Sequence, residues 1–307
     1  MKTLMKHLPV QHNLIAMSLI TMGLIIVSGL TFAGEKVDKT LSAKTDGVVE
    51  IHNVRGDIKI IGWDKNEVNI TGELDDLKEE FVFKAQGNVI LIEVIVPRRN
   101  INYGDGSDLI IHVPKTNRVD VNVVSTDLSV KDIKGGIDLR TVSGQAVITN
   151  VHKQLYVQTV SGDILIKKSS GKMKLNSVSG EVIGNIDSND IRAESVSGDV
   201  KLILSNFDNL RATSVSGDVA VTGQLNDSGN LKLSTVNGDI SLSFKSNVNA
   251  RAKINAGPGG GISNRMSSDE VIEVFPNQQK LSMTLGNGSG KIKIGTINGS
   301  ILLKGSN

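Results

Sequence analysis

The sequence predicts an all-β fold, a parallel β-solenoid with coils of about 18 residues and an irregular β cap on its N-terminal side. Three observations predict it. The 307-residue chain is poor in aromatics (3%) and holds five prolines against 32 glycines, with valine, isoleucine and serine abundant, which suits many short strands and turns. A short unit recurs at a nearly constant step. Within each unit apolar and polar residues alternate, the period of a strand with one buried face.

The repeat reads TVSGQAVI from Thr141, TVSGDILI from Thr159, SVSGEVIG from Ser177, SVSGDVKL from Ser195, SVSGDVAV from Ser214 and TVNGDISL from Thr235. Its turn glycines, Gly144, Gly162, Gly180, Gly198, Gly217 and Gly238, are separated by 18, 18, 18, 19 and 21 residues. One step of 18 back from Gly144 lands on Thr126 in VVSTDLSV, a degenerate copy, and TINGSILL around Gly299 is a late one. A looser turn closes each unit, at Gly135-Gly136, Ser170-Gly171 and Asp227-Ser228-Gly229 among others. Each copy is therefore strand, tight turn, strand, looser turn. An antiparallel meander would also use such units. The parallel stack is preferred because equivalent residues match in kind: Val over Val, small hydroxyl over small hydroxyl, Gly over Gly. The glycines are expected at φ > 0, where a Cβ would clash. Gly180, in mid-repeat, is expected to matter more than Gly299, which lies near the end of the chain where fraying costs little.

Residues 34–115 are less regular, with the strand-like segments VVEIHNV, DIKII, EVNITG, EFVFKA, VILIEVIV and DLIIHVP, and read as an irregular start or cap to the coils of 116–307. The best helical candidate, residues 74–80, is short. The acidic run Glu73, Asp75, Asp76, Glu79 and Glu80 reads as a solvated loop.

Residues 1–33 differ from the rest. Lys2 and Lys6 precede an apolar run over 14–32, and Thr31-Phe32-Ala33 sets small residues at −3 and −1 of a cleavage point, the layout of a signal peptide with Gly34 as the new N-terminus. An uncleaved anchor is the alternative, since the run approaches the roughly 20 residues that span a bilayer. No other segment is suited to a span. The chain has no cysteine, so disulfides, thiolate metal sites and lipoprotein-type anchoring are excluded. Cleavage would remove two lysines and no acid from 34 basic and 32 acidic residues. A net charge near zero without a basic block argues against a nucleic-acid partner.

The repeated VSGD units, VRGDIKIIGWD at 54–64 and GSGKIKIGTINGSILL near the C-terminus together resemble the bacterial putative-adhesin family of β-strand repeats, exported domains of unknown function. The resemblance covers nearly all of the chain after residue 33. It implies an exported β-solenoid that acts through its surface, with a protein or glycan of the cell envelope or cell surface as partner. It brings no catalytic or binding residues with it. A periplasmic envelope-stress or regulatory accessory protein is the first alternative, and a carbohydrate-active β-helix enzyme the second.

The residues themselves point to no enzyme, no cofactor and no metal. Arg55-Gly56-Asp57, a tripeptide that adhesion receptors can grip, aligns with the turn of VSGDI at Val160 and reads as a turn. The acidic column Asp127, Asp163, Glu181, Asp199, Asp218 and Asp239 could attract calcium between coils. It lacks the nine-residue calcium-roll pattern, is interrupted by Gln145, and reads as solvated turn acids. His52, His112 and His152 share no ligand spacing and read as strand-surface residues. GNGSGK at 286–291 lacks Walker spacing, no GxSxG elbow occurs, and Trp63, Tyr103 and Tyr156 are too scattered for a sugar-stacking platform.

Overall fold

Eighteen residues after Ile137, Leu155 lies beside it on the neighbouring parallel strand, and that offset builds the molecule. The structure, a computed structural model, describes residues 34–97 and 105–305; the expected signal segment and Tyr103 lie outside them. The described residues form 23 strands and no helix. Strands β8 (Ile137–Ser143) and β9 (Ala146–Thr149) make one coil, and β10 (Gln154–Ser161) and β11 (Ile164–Ser169) make the next. β10 lies on β8 and β11 on β9, both parallel. The stack continues through β12 (Lys172–Ser177), β13 (Val182–Ile186) and β14 (Asp190–Glu194). β7 (Arg118–Lys131), β15 (Val200–Thr213) and β16 (Val219–Ser234) are long because each bends through a corner and serves both faces. A meander is excluded by these parallel pairings.

Alternation gives each strand its inward pair. Leu155 and Val157, Ile164 and Ile166, Leu231 and Leu233, Ile240 and Leu242 are all at most 1% exposed. Each such side chain contributes about 1.5–3 kcal/mol by leaving water. The longer steps of 19 and 21 residues fall at the loose corner. There the register between β15 and β16 shifts between Ile203 and Asn206 and again between Phe207 and Asn209, while fully buried Phe207 fills the widened bend. The tight corner keeps its register, with Ser197, Ser216, Asn237 and Asn298 bridged in turn.

At both ends the order of coils in space departs from their order in sequence. After β17 (Ile240–Phe244) the chain skips one level to build β18 (Ala250–Ala256) and β19 (Gly261–Arg265). It then turns back through β20 (Ile272–Val274) and β21 (Gln278–Leu285), antiparallel to each other, with β21 antiparallel to β18. Finally β22 (Gly290–Thr296) inserts between β16 and β18, and β23 (Ser300–Lys304) between β17 and β19. The last coil in sequence is thus internal. This accounts for the gap from Gly238 to Gly299, and it corrects the expectation that Gly299 lies at a fraying end.

The N-terminal side is built the same way. β2 (Val48–Trp63), which joins VVEIHNV and DIKII into one bent strand, is a full coil lying directly on β7. Its other neighbours are β5 (Val89–Ile95) and β6 (Ser107–Pro114), which follow it in sequence. Antiparallel strands finish this end: β4 (Glu80–Gln86) on β5, β3 (Glu67–Glu73) on β6, and β1 (Lys36–Ser42) on β3. The expected irregular start therefore contains one regular coil.

Candidate functional site

The tight corners stack into a column whose parts hold one another. A Cβ on Gly162, Gly180, Gly198 or Gly217 would fall well inside van der Waals contact of the carbonyl oxygen of the glycine one coil earlier. Gly56 and Gly144 are left-handed, with φ of 108° and 103°, but those four are outside that region. The expectation of φ > 0 at Gly180 is corrected: close approach of two backbones selects glycine there. Inside the corner, hydroxyls from Thr141 to Thr296 are buried, and several donate to carbonyls of the coil below, as Ser214 Oγ does to Gly198 (3.0 Å) and Thr235 Oγ1 to Gly217 (2.9 Å).

The acidic column has a structural task. Asp127 Oδ1 accepts the backbone N–H of Gln145 (2.7 Å), Asp163 that of Glu181 (2.9 Å), Asp199 that of Asp218 (2.9 Å), Asp218 that of Asp239 (2.8 Å) and Asp239 that of Ser300 (2.7 Å). Each aspartate thus ties the next coil to its own. Glu181, one methylene longer, reaches Lys201 instead (3.5 Å). Lys201 and then the Asp218 N–H hold the Asp199 carboxyl below the usual aspartate value, against the opposing effect of burial.

Arg55, Gly56 and Asp57 occupy the equivalent corner of β2, with Asp57 opposite Asp127. The Arg55 side chain is only 12% exposed and grips Asp75 with both oxygens, Nε to Oδ2 at 2.6 Å and Nη2 to Oδ1 at 2.8 Å. Asp75 is 1% exposed, so the reading of its acidic run as a solvated loop is corrected at that residue. Burial pushes the Asp75 carboxyl up, but Arg55 and the Leu77 N–H outweigh it and hold it below the usual range. The structure does not bring the histidines together. His52 lies on β2; His112 on β6 stacks on Trp63 at 5.0 Å between centroids; His152 sits in a turn, not on a strand, between Ser170 and Asn150. GNGSGK leads into β22, with Gly286 and Gly288 left-handed. Among the described residues no group of three or more His, Asp or Glu could hold a metal.

What remains outward is repetitive. One position before the corner serine, or the Arg55, Asn237 or Asn298 that takes its place, stands an aliphatic residue, giving Val54, Val124, Val142, Val160, Val178, Val196, Val215 and Val236, with Ile297 last; Val142 and Ile297 are 48% and 51% exposed. Four residues earlier on the same face the stack reads Glu50, Asp120, Asp138, Tyr156, Lys174, Arg192, Arg211, Lys232, Lys293, Lys253. Acids give way to cations along it. A recess of about 280 Å³ near the C-terminal end, lined by Phe244, Val248, Asn249, Met266 and Leu285 among others, has no ionisable side chain in its wall.

A family model described as Toastrack DUF4097 matches residues 48–304. The chain belongs to the Toastrack DUF4097 family. The Toastrack match opens on the first residue of β2 and closes on the last of β23, so it takes in every coil and leaves out β1. A search of curated proteins finds no match. Among solved structures the chain is similar to a putative adhesin from Bacteroides fragilis, at 13% identity over 88% of this chain and 97% of that one with a TM-score of 0.42. It is also similar to a putative cell adhesion protein from Clostridium sporogenes (13%, 88% and 100%, 0.22) and to a putative lipid binding protein from Parabacteroides distasonis (12%, 89% and 98%, 0.36). Among the described residues, no helix of this Toastrack chain is long and apolar enough to cross a membrane.

Proposed function

We propose that this chain is an exported, non-enzymatic interaction scaffold of the bacterial cell envelope or exterior, working through the side chains that its coils repeat. The observation that carries the reading is the aliphatic ridge. Seven of its members, from Val124 to Ile297, are 42–51% exposed. Eight steps of about 4.8 Å make it roughly 38 Å long. From Val178 onward these residues sit in the corner just past the strand end, and seven of the nine are half-exposed, so neither strand packing nor burial demands an apolar side chain there. A contiguous apolar strip bordered by polar columns is what a surface that meets another molecule presents. The leader-like segment at 1–33 supports export, and the structural employment of the corner acids and of Arg55 supports a role without catalysis.

Fractionation of producing cells tests this reading. The protein is expected in the envelope or the medium with Gly34 at its N-terminus. A variant with Val160, Val178 and Val196 replaced by threonine is expected to be exported and folded but less retained on envelopes. A full-length chain confined to the cytoplasm would overturn the proposal.

A further inference from the structure

We infer that the outward face formed by β12, β14, β15, β16, β22 and β18 binds an acidic polysaccharide, laid across the strands along a single row of cations. The row is Lys174, Arg192, Arg211, Lys232, Lys293 and Lys253, one from each of six consecutive parallel strands in direct register. Five steps of about 4.8 Å make it roughly 24 Å long. Lys291 and Arg251, also in register with each other, widen it at one end. No basic block exists in the sequence, because the fold gathers the row one residue at a time from the 120 positions between Lys174 and Lys293, a stretch that ends in the inserted coil.

Like charges directly opposite on neighbouring strands repel, and elsewhere on this face the chain relieves that. Arg118 and Arg140 both meet Asp138, at 3.3 and 2.9 Å, and within the row Arg192 and Arg211 share Glu194, at 2.9 and 3.4 Å. Lys232, Lys293 and Lys253 form no ion pair among the described residues, and Lys174 has only the Tyr156 ring, 5.2 Å away. A partner that brings negative charge at regular intervals would relieve the repulsion that these four leave standing.

The row is one residue wide, which fits a chain better than a plane. Beside Arg211 and Lys232 its flanks are neutral hydrogen-bonding groups, Asn209 and Asn230 on one side and Thr213 and Ser234 on the other, the partners that sugar hydroxyls need; Asp190 and Glu194 flank Arg192 in the same columns, and Lys291 and Arg251 flank Lys293 and Lys253. Single-stranded nucleic acid would need aromatic platforms for its bases, and Tyr156, at the end of the row, is already flanked by Arg140 and Lys174. The choice of a glycan rests on the envelope location proposed above. The binding measurement does not, so the two can fail separately.

The test uses the purified exported protein with polygalacturonate as the linear polyanion. Neutral dextran, a single-stranded oligonucleotide, and vesicles of phosphatidylglycerol or phosphatidylcholine serve as comparisons. Lys232→Gln/Lys253→Gln/Lys293→Gln removes three cations from the row; Lys36→Gln/Lys84→Gln/Lys304→Gln removes three exposed ones elsewhere. Both should melt like the parent. The row variant is expected to bind polygalacturonate about ten-fold more weakly or worse, with a flatter salt dependence, and the control to bind it within about two-fold of the parent. Equal loss in both variants, tighter binding to the oligonucleotide or to anionic vesicles than to polygalacturonate, or no binding at low salt would each overturn the inference.

Discussion

Single polar atoms decide whether one coil stays on the next. Asp218 Oδ1 accepts the Asp239 N–H at 2.8 Å, a backbone group that the corner otherwise leaves without a partner in the sheet ladder. A net hydrogen bond of this kind is worth about 0.5–1.5 kcal/mol. Asp218→Ala is therefore expected to lower the melting temperature, Asp218→Asn to recover most of the loss through its amide oxygen, and Glu181→Ala to do little, because Glu181 spends its carboxylate on an exposed lysine. Thermal melts of the three variants check this; equal losses at Asp218 and Glu181 would refute the tie between coils. The corner arginine makes a second case. Removing Arg55 strands Asp75 as a buried carboxylate, so Arg55→Ala should cost about 3 kcal/mol at neutral pH. Asp75 and Asp199 both titrate lower in the folded chain than in the unfolded one. The stability they confer is complete above the ordinary aspartate value of 3.8 and is lost as pH falls through their folded values. In Arg55→Ala, Asp75 keeps the Leu77 N–H but loses the cation that outweighed burial, and protonation then relieves the damage. Urea midpoints from pH 7 to pH 2 should show the gap between variant and parent narrowing as the solution is acidified. A gap that widens would mean Arg55 is not holding that charge.

At the scale of the strand and corner, the sequence was most legible where residues repeat. The alternation of Leu155, Val157 and Thr159, and its copies, foretold strand, face and stacking partner together, because in a parallel stack each coil's neighbour is nearly its own sequence. The reason for the glycines was less legible, since left-handed conformation and backbone crowding select the same residue. The structure separates them and changes what substitution should do. Gly180→Val must push its Cβ against the Gly162 carbonyl, and Gly299→Val against that of Gly238, while Gly260 crowds Gly299 from the other side. Both are therefore expected to lower the melting temperature by similar, large amounts, on the scale of about 1–3 kcal/mol for overpacking. Gly295→Ala, whose Cβ would meet only the Asn255 oxygen at 3.6 Å, should be neutral or slightly stabilising. A tolerant Gly299 beside an intolerant Gly180 would mean that the last coil is loosely held. The candidate surfaces were hidden for a related reason: Lys232, Lys253 and Lys293 are ordinary strand lysines in sequence and become neighbours only through the order in which coils stack.

At the scale of the whole solenoid, that order raises the question of what holds the C-terminal end together. Chain order predicts a stack that can lose its last coil as it would lose any end repeat, since repeats contact only their neighbours. Spatial order predicts otherwise. Among the described residues β18 pairs only with β22 and β21, and β19 only with β23, so these strands reach the body of the stack through residues 290–304. A chain ending at Ser289 keeps β18, β20 and β21 as a small antiparallel group with no neighbour below it, and a sheet of that size is marginal by itself. It also bares the upper edges of β16 and β17, two unpaired rows open to other chains. The insertion has a kinetic side too, because β18 and β19 must wait for the final residues before they join the stack, a contact of long sequence separation made late. Truncation after Ser289 should therefore strip hydrogen-exchange protection from β18 through β21 as one unit, leave β8 through β13 protected, and promote self-association. If the shortened chain instead keeps protection across residues 250–285, then β18 has dropped onto β16 in place of β22, and the inserted coil is not what fixes the end of the stack.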